Sequence, residues 1–291
     1  MRDFEILFDR AEPSPIADDA CAPYGKLGFP SAHRDRPWVY ANFVQSIDGI
    51  ASFLGKHPTG GDISHSGEDK WLMDLLRAHA DAIIMGLNTL VEETRSAPDL
   101  NNGRGPVYRV QDAALREFRG RLGRGREKVI FVTASARLEP EKYRVFDGDL
   151  LDAYVLTTKA GEARLRESGV RTIVAGEAGF VDLQLGVRRL RQELGIKHLL
   201  CEGGPTLYGH MARAGLIDEK FVTISPIEIG LLVPPEQQEQ ESHEVVQRGA
   251  PAHRPTTFTA PGFMPESAPW WEWMSCRRVG DHEFNRYRRR R

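Results

Sequence analysis

Apolar positions recur along the chain in two rhythms. Nearly continuous apolar runs at Trp38-Val-Tyr-Ala-Asn-Phe-Val-Gln45, Asp81 to Met85, Lys128 to Val132, Ala153 to Thr157, Arg171 to Ala175 and His198 to Cys201 read as strands. Between them stand stretches with helical spacing: Leu72, Leu75, Leu76 and His79; Leu183, Val187, Leu190 and Leu194; Leu207, His210, Met211 and Ala214. Ser66 with Asp69 resembles a capping box with Asp as its acid, Asp182 starts a helix, and Gly195 and Gly215 stop two others. Strands alternating with helices predict an α/β fold on a mostly parallel sheet with right-handed crossovers.

Outside this alternation the pattern changes. Residues 1–36 mix prolines and charges without periodicity and read as an extended arm before a domain of residues 37–291. Arg95 to Glu127 is basic and Gly-rich, with helical character only from Asp112 to Phe118, and reads as an excursion or flap. Residues 231–269 hold seven of the 18 prolines and a Gln/Glu run, the mark of a surface segment with little regular structure. Residues 270–288 alternate well enough for a closing antiparallel hairpin turning at Gly280-Asp281.

Composition narrows the class. With 291 residues, 41% apolar and 27% charged, the chain can bury an ample core, and a net charge of −2 gives no reason to expect a nucleic-acid or membrane partner. Arg288 to Arg291 is the one strong charge run and reads as a solvated tail. No signal peptide or membrane span is expected. The three cysteines lack metal spacing and suit a reducing, cytoplasmic setting; no metal site is expected, and the His-x-Glu with Pro-Cys-x-x-Cys of zinc deaminases is absent.

The chemistry centres on Lys197-His-Leu-Leu-Cys-Glu-Gly-Gly-Pro-Thr-Leu207. A strand, two glycines and a proline at the first helical position build a turn whose free N–H groups and helix dipole favour a phosphate. Read alone, a lone Gly-Gly is more simply a tight strand-to-helix turn. Around it stand Ser46-Ile-Asp-Gly49, Leu76-Arg-Ala78, Asp81-Ala-Ile-Ile-Met-Gly86, Thr89, Ala214-Gly-Leu-Ile-Asp-Glu219 and Thr223-Ile-Ser-Pro-Ile227. This order and spacing resemble the reductase domain of bacterial riboflavin biosynthesis, the 5-amino-6-(5-phosphoribosylamino)uracil reductase family, which has the dihydrofolate-reductase-like fold.

The resemblance implies an NADPH-dependent reductase that transfers hydride to C1′ of a phosphorylated ribosylaminopyrimidine, and a homodimer. It implies cofactor contacts at Val44, Ser46, Gly86, Thr89, Thr133, Ser135, Gly203, Gly204 and Thr206. Substrate contacts are implied at Asn42, Asp48, Ser64, Arg77 and Arg104, with Arg77 and Arg104 on the phosphate. Asn42 stands where the family carries lysine, and Arg104 follows an imperfect match with one extra residue. The acid is expected at Glu93, or Glu92 beside it, where the family has aspartate. Glu202 ends a strand where open α/β sheets bind ligands, which makes it the first polar contact for sugar hydroxyls. Several have a plainer reading: a turn for Asp48, caps or turns for Thr133 and Ser135, a surface ion pair for Arg77, and solvation on a helix surface for Glu92 and Glu93. The substitutions at Asn42 and Glu93 keep two alternatives open, a reductase of a pterin or dihydrofolate and a nucleotide-binding protein without turnover. The apolar cluster Trp270, Trp271 and Trp273 suggests an interface.

Overall fold

The computed structural model describes residues 3–13, 16, 18–53, 60–233 and 253–290. Among these residues ten strands form one sheet: β1 Glu5–Asp9, β2 Trp38–Ser46, β3 Ala82–Gly86, β4 Lys128–Val132, β5 Asp152–Thr157, β6 Arg171–Val174, β7 His198–Cys201, β8 Glu219–Ser225, β9 Trp271–Val279 and β10 His282–Arg289. Their order is β1-β9-β10-β8-β2-β7-β3-β4-β5-β6. From β8 to β6 every neighbour is parallel, and the closing hairpin β9–β10 joins antiparallel, as expected.

Among the described residues seven α-helices connect the strands: α1 Gly61–Ser64, α2 Gly67–His79, α3 Leu87–Ser96, α4 Ala113–Arg121, α5 Lys159–Leu165, α6 Leu183–Leu194 and α7 Pro205–Arg213. Strand residues alternate between two cores. On one face Tyr40, Leu200, Ile83 and Phe131 pack under Leu72, Leu75 and Leu76 of α2 and Leu115 and Phe118 of α4. On the other Ala41, Leu199, Cys201 and Ile84 meet Val187 and Leu190 of α6 and Leu207 and Met211 of α7.

Three expectations change. The N-terminal arm is part of the body: β1 pairs with β9, and Phe4, Tyr24 and Leu27 are buried among Phe284, Trp71 and Tyr40. The C-terminal arginines are not a free tail, because Arg288 lies in β10 and donates from Nε to Glu219 at 2.6 Å while pairing with Glu12. Glu219 is wholly buried and also takes two bonds from the buried Arg286, at 2.7 and 3.0 Å. Ile50 makes only an isolated bridge with Thr256 rather than a resumed strand. The described parts of 231–269 contain no helix or strand; 234–252 lie outside the described residues.

Candidate active site

The C-terminal ends of β3 and β7 lie side by side, since the Glu202 N–H donates to the Ile84 carbonyl at 3.2 Å and prolongs the ladder. Gly203 is bare because of this approach: a Cβ there would stand 2.1 Å from Met85 Cα. Gly204 then takes φ +51°, a region costly for L side chains, and leads into α7. Gly86 similarly leads into α3. Neither helix start has a side-chain cap, whereas α2, α4, α5 and α6 are capped by Ser66, Asp112, Thr158 and Asp182. These two starts, uncapped like that of α1, adjoin each other: Thr89 Oγ1 lies 3.1 Å from where a Gly204 Cβ would be and 3.9 Å from that of Gly86. Gly86, Thr89, Gly203 and Gly204 therefore come together where two helix N-termini adjoin, and first-turn N–H groups without partners inside their helices make such a place suited to a phosphate. Thr206 is exposed in the first turn of α7. Thr133 and Ser135 follow β4; their hydroxyls are 3.3 Å apart, and Thr133 Oγ1 accepts the Ala136 N–H at 3.2 Å.

Beneath the strand ends Arg77 and Glu202, expected as separate substrate contacts, hold each other. Arg77 Nε and Nη2 donate to the two Glu202 carboxylate oxygens, both at 2.7 Å, and Nη1 donates to the Arg109 carbonyl at 3.3 Å. Arg77 is 8% exposed. Three of its five N–H groups are engaged, which leaves two for an anion. Glu93 faces the same network, accepting the Tyr108 hydroxyl at 2.6 Å. Burial holds the Glu93 carboxyl above the usual carboxylate range; the Tyr108 bond opposes this, and nearby Glu202 adds to it. Glu92 points elsewhere, into a surface pair with Arg95 at 3.0 Å.

Other expected contacts serve the frame. Ser46 Oγ is hydrogen-bonded to Asp48 and accepts the Ile50 N–H at 2.9 Å. Asp48 accepts the N–H groups of Ile229 and Gly230, at 3.2 and 2.6 Å, so this motif closes a turn and pins the chain after β8. Val44 Cγ1 fills the space a Cβ on Gly60 would need. Ser64 is buried; its Oγ accepts from the Ser66 N–H at 3.2 Å and its carbonyl lies 2.7 Å from His282 Nε2. Arg104 is not brought to the cleft: it binds Asp147 and the carbonyls of Glu141 and Tyr143 on the surface.

A family model described as the RibD C-terminal domain matches residues 37–250. The chain belongs to this family. It is 32% identical over 197 residues to the 2,5-diamino-6-ribosylamino-4(3H)-pyrimidinone 5′-phosphate reductase of Methanothermobacter thermautotrophicus, covering 67% of this chain and 80% of the relative. Among solved structures, a pyrimidine reductase-like protein from Corynebacterium diphtheriae superimposes with TM-score 0.60 at 23% identity, covering 88% of this chain and 93% of that one. RibD of Acinetobacter baumannii gives 0.60 at 16%, covering 89% of this chain; the chain spans only 59% of that protein. These likenesses fix the fold, which is the dihydrofolate-reductase-like α/β architecture expected from the motifs.

Three residues of this RibD C-terminal domain went unread in its sequence. Tyr108 lies in the stretch taken for a flap. Asp69 was read only as a cap, and Thr223 only as the first residue of the motif Thr223-Ile-Ser-Pro-Ile227. The register Val44↔Thr223 puts the Thr223 side chain beside β2, on the face that carries Asn42. Thr223 Oγ1 and Asn42 Oδ1 are both buried without a hydrogen-bond partner. A buried polar atom left unpaired costs free energy until something fills it. Alternation in β8 and β2 was the available signal, but it could not say which polar atoms lack partners.

Proposed function

We propose that this RibD C-terminal domain is a reductase of a phosphorylated ribosylaminopyrimidine, with NADPH as hydride donor. The observation that carries the reading is the pair of uncapped helix starts converging on Gly86, Thr89, Gly203 and Gly204. The 32% identity to a named pyrimidinone phosphate reductase supports the substrate class. Gly86, Gly203 and Gly204 would hold the pyrophosphate, with Thr89, Thr206, Thr133 and Ser135 along its path. Val44 and Ser46 would border the ring. When bound, NADPH supplies a hydride, which adds to C1′ of the ring-opened imine of the substrate as the imine nitrogen gains a proton.

The chain's own residues do the rest. Glu93, kept protonated more readily than an ordinary carboxyl by its burial, supplies that proton, and Tyr108 fixes its position. Glu202, locked by Arg77, keeps lone pairs for ribose hydroxyls, and the two spare Arg77 N–H groups face the phosphate. Three free, buried cysteines support a reducing compartment, and no helix among the described residues is long and apolar enough to cross a membrane. We also propose a homodimer. Trp270 and Trp273 are 73% and 47% exposed at the end of β9, whose outer edge is paired with β1. Light scattering should give twice 32.7 kDa.

Incubation with NADPH and 2,5-diamino-6-ribosylamino-4(3H)-pyrimidinone 5′-phosphate should consume NADPH absorbance only when both are present. Binding of NADPH with no turnover of this substrate or its uracil counterpart would return the chain to a nucleotide-binding protein.

A further inference from the structure

Asp74 stands one helical turn before Arg77 in α2 and is buried with it. It is not the arginine's main partner: Asp74 Oδ1 and Arg77 Nη1 are 3.9 Å apart, while Glu202 takes two bonds of 2.7 Å. The Asp74 carboxylate turns instead to the chain that follows α3. Its Oδ2 accepts the backbone N–H groups of Gln111 and Asp112, at 2.8 and 2.9 Å. Its Oδ1 is buried without a hydrogen-bond partner, a cost that a surface carboxylate would not carry. Burial holds the Asp74 carboxyl above its usual range, and the two backbone N–H groups and Arg77 oppose that shift.

The chain held in this way leads to the acid. Residues 105–112 lie in neither helix nor strand, so no ladder sets their register against the body. Side chains set it instead. From α2, Asp74 binds Gln111 and Asp112, and Arg77 Nη1 donates to the Arg109 carbonyl at 3.3 Å. Glu127 accepts the Val110 N–H at 2.7 Å. The next residue back is Tyr108, whose hydroxyl donates to Glu93 at 2.6 Å. A continuous path therefore runs from Asp74 through the backbone of 109–112 to Tyr108 and Glu93. The charged groups that act on Glu93 are Glu202 and Arg77, and Tyr108 is its hydrogen-bond donor. Asp74 reaches Glu93 through that donor.

We propose that Asp74 is a positioning residue for the reduction: by tying 109–112 to α2 it holds Tyr108 against Glu93 and so fixes the proton donor. This rests on the reading of Glu93 as the acid and adds what keeps it in place. The Tyr108 hydroxyl donates to the carboxylate, so it favours the anion that remains once the proton has left. Cutting the tie at Asp74 frees Tyr108 and takes that donor away. Glu93 then holds its proton more tightly and loses its fixed direction. A displacement of about 1 Å at a reacting group costs on the order of 10²-fold in rate.

The test is the pH profile of kcat of the full chain with NADPH and 2,5-diamino-6-ribosylamino-4(3H)-pyrimidinone 5′-phosphate. An acid that must be protonated makes kcat fall as pH rises through its pKa. Loss of the Tyr108 bond raises that pKa, so in Asp74→Ala this alkaline limb should move up by about one pH unit. Below the limb kcat should fall by about 10²-fold, with KM for NADPH unchanged. Asp74→Asn keeps a carbonyl oxygen for both N–H groups and should restore kcat and the limb. Asp74→Glu keeps charge and acceptor but moves them by one C–C bond, about 1.5 Å; it should show the same upward limb shift and serves if Asp74→Ala does not fold. Tyr108→Phe should shift the limb equally, and Asp74→Ala should add nothing to it. A native limb in the folded Asp74→Ala or Asp74→Glu protein, or additive effects with Tyr108→Phe, overturns the assignment. If the substrate is not reduced, the reductase reading fails, and infrared titration of the Glu93 carboxyl, identified by its loss in Glu93→Gln, still decides Asp74. An upward move in Asp74→Ala that is absent in the Tyr108→Phe background supports the role, and an unmoved titration refutes it.

Discussion

Replacing the site glycines one at a time should separate what the fold needs from what a ligand needs. A Cβ on Gly203 meets Met85 Cα at 2.1 Å, Met85 Cβ at 2.3 Å and the Gly86 nitrogen at 2.9 Å. These atoms belong to β3, held on both sides by β7 and β4, so they cannot yield without opening ladders. Overpacking against movable side chains costs about 1–3 kcal/mol. Here the obstacle is backbone, and Gly203→Ala should cost about 3 kcal/mol or more, which lowers Tm by roughly 6–12 °C. Gly204→Ala carries the strain of φ +51° with ψ 141°, a sparsely populated combination that costs about 1–3 kcal/mol. Gly86→Ala meets nothing nearer than Thr89 Oγ1 at 3.9 Å, at a φ of −72° that any residue adopts. It should cost the fold less than about 1 kcal/mol while placing a methyl group at the proposed phosphate site. Thermal melts and NADPH fluorescence titrations on the three variants give the readout. Gly203→Ala melting with the native protein would refute the packing argument, and unweakened NADPH binding by Gly86→Ala would remove that glycine from the cofactor site.

The buried arginine clamp gives a second prediction. Glu219→Gln leaves Arg286, 1% exposed, without its countercharge; chemical denaturation should show a loss of about 3–5 kcal/mol. Truncation before Arg288 should cost about 1–3 kcal/mol, and a native denaturation midpoint would restore the free-tail reading. Glu93 sets two pH dependences. Its folded pKa is raised, so above the ordinary carboxylate range the native state keeps a proton that the unfolded chain has lost, and stability falls as pH rises through that window. Glu93→Gln should abolish this slope and lower kcat by about 10²–10⁴-fold. A native kcat in Glu93→Gln would exclude it as the acid.

What the sequence made legible follows from the range of the forces involved. The strands and the β7–α7 turn were readable because burial, glycine and proline leave local marks. Gly203 and Gly204 were singled out correctly as bare positions, but the reason lies partly in Met85, on a strand distant in the chain. Arg77 and Glu202 each stood out alone; that they pair across 125 residues is a tertiary fact. The same holds for Arg277, wholly buried on Asp9 at 2.7 Å and 268 residues away from it. Charged residues are expected in water unless paired, and no local pattern names a partner so remote. Phe4, Tyr24 and Leu27 are scattered among prolines and charges, so their place in the core left no periodic trace.

The central claim is hydride transfer to the sugar carbon of a pyrimidine nucleotide. Turnover with NADPH deuterated at the transferring position of its nicotinamide tests it most directly, with the product examined by mass spectrometry and NMR. One deuterium at C1′ of a newly formed ribitylamino chain is the predicted result. Consumption of NADPH with deuterium in the pyrimidine ring, or with none in the product, would contradict it.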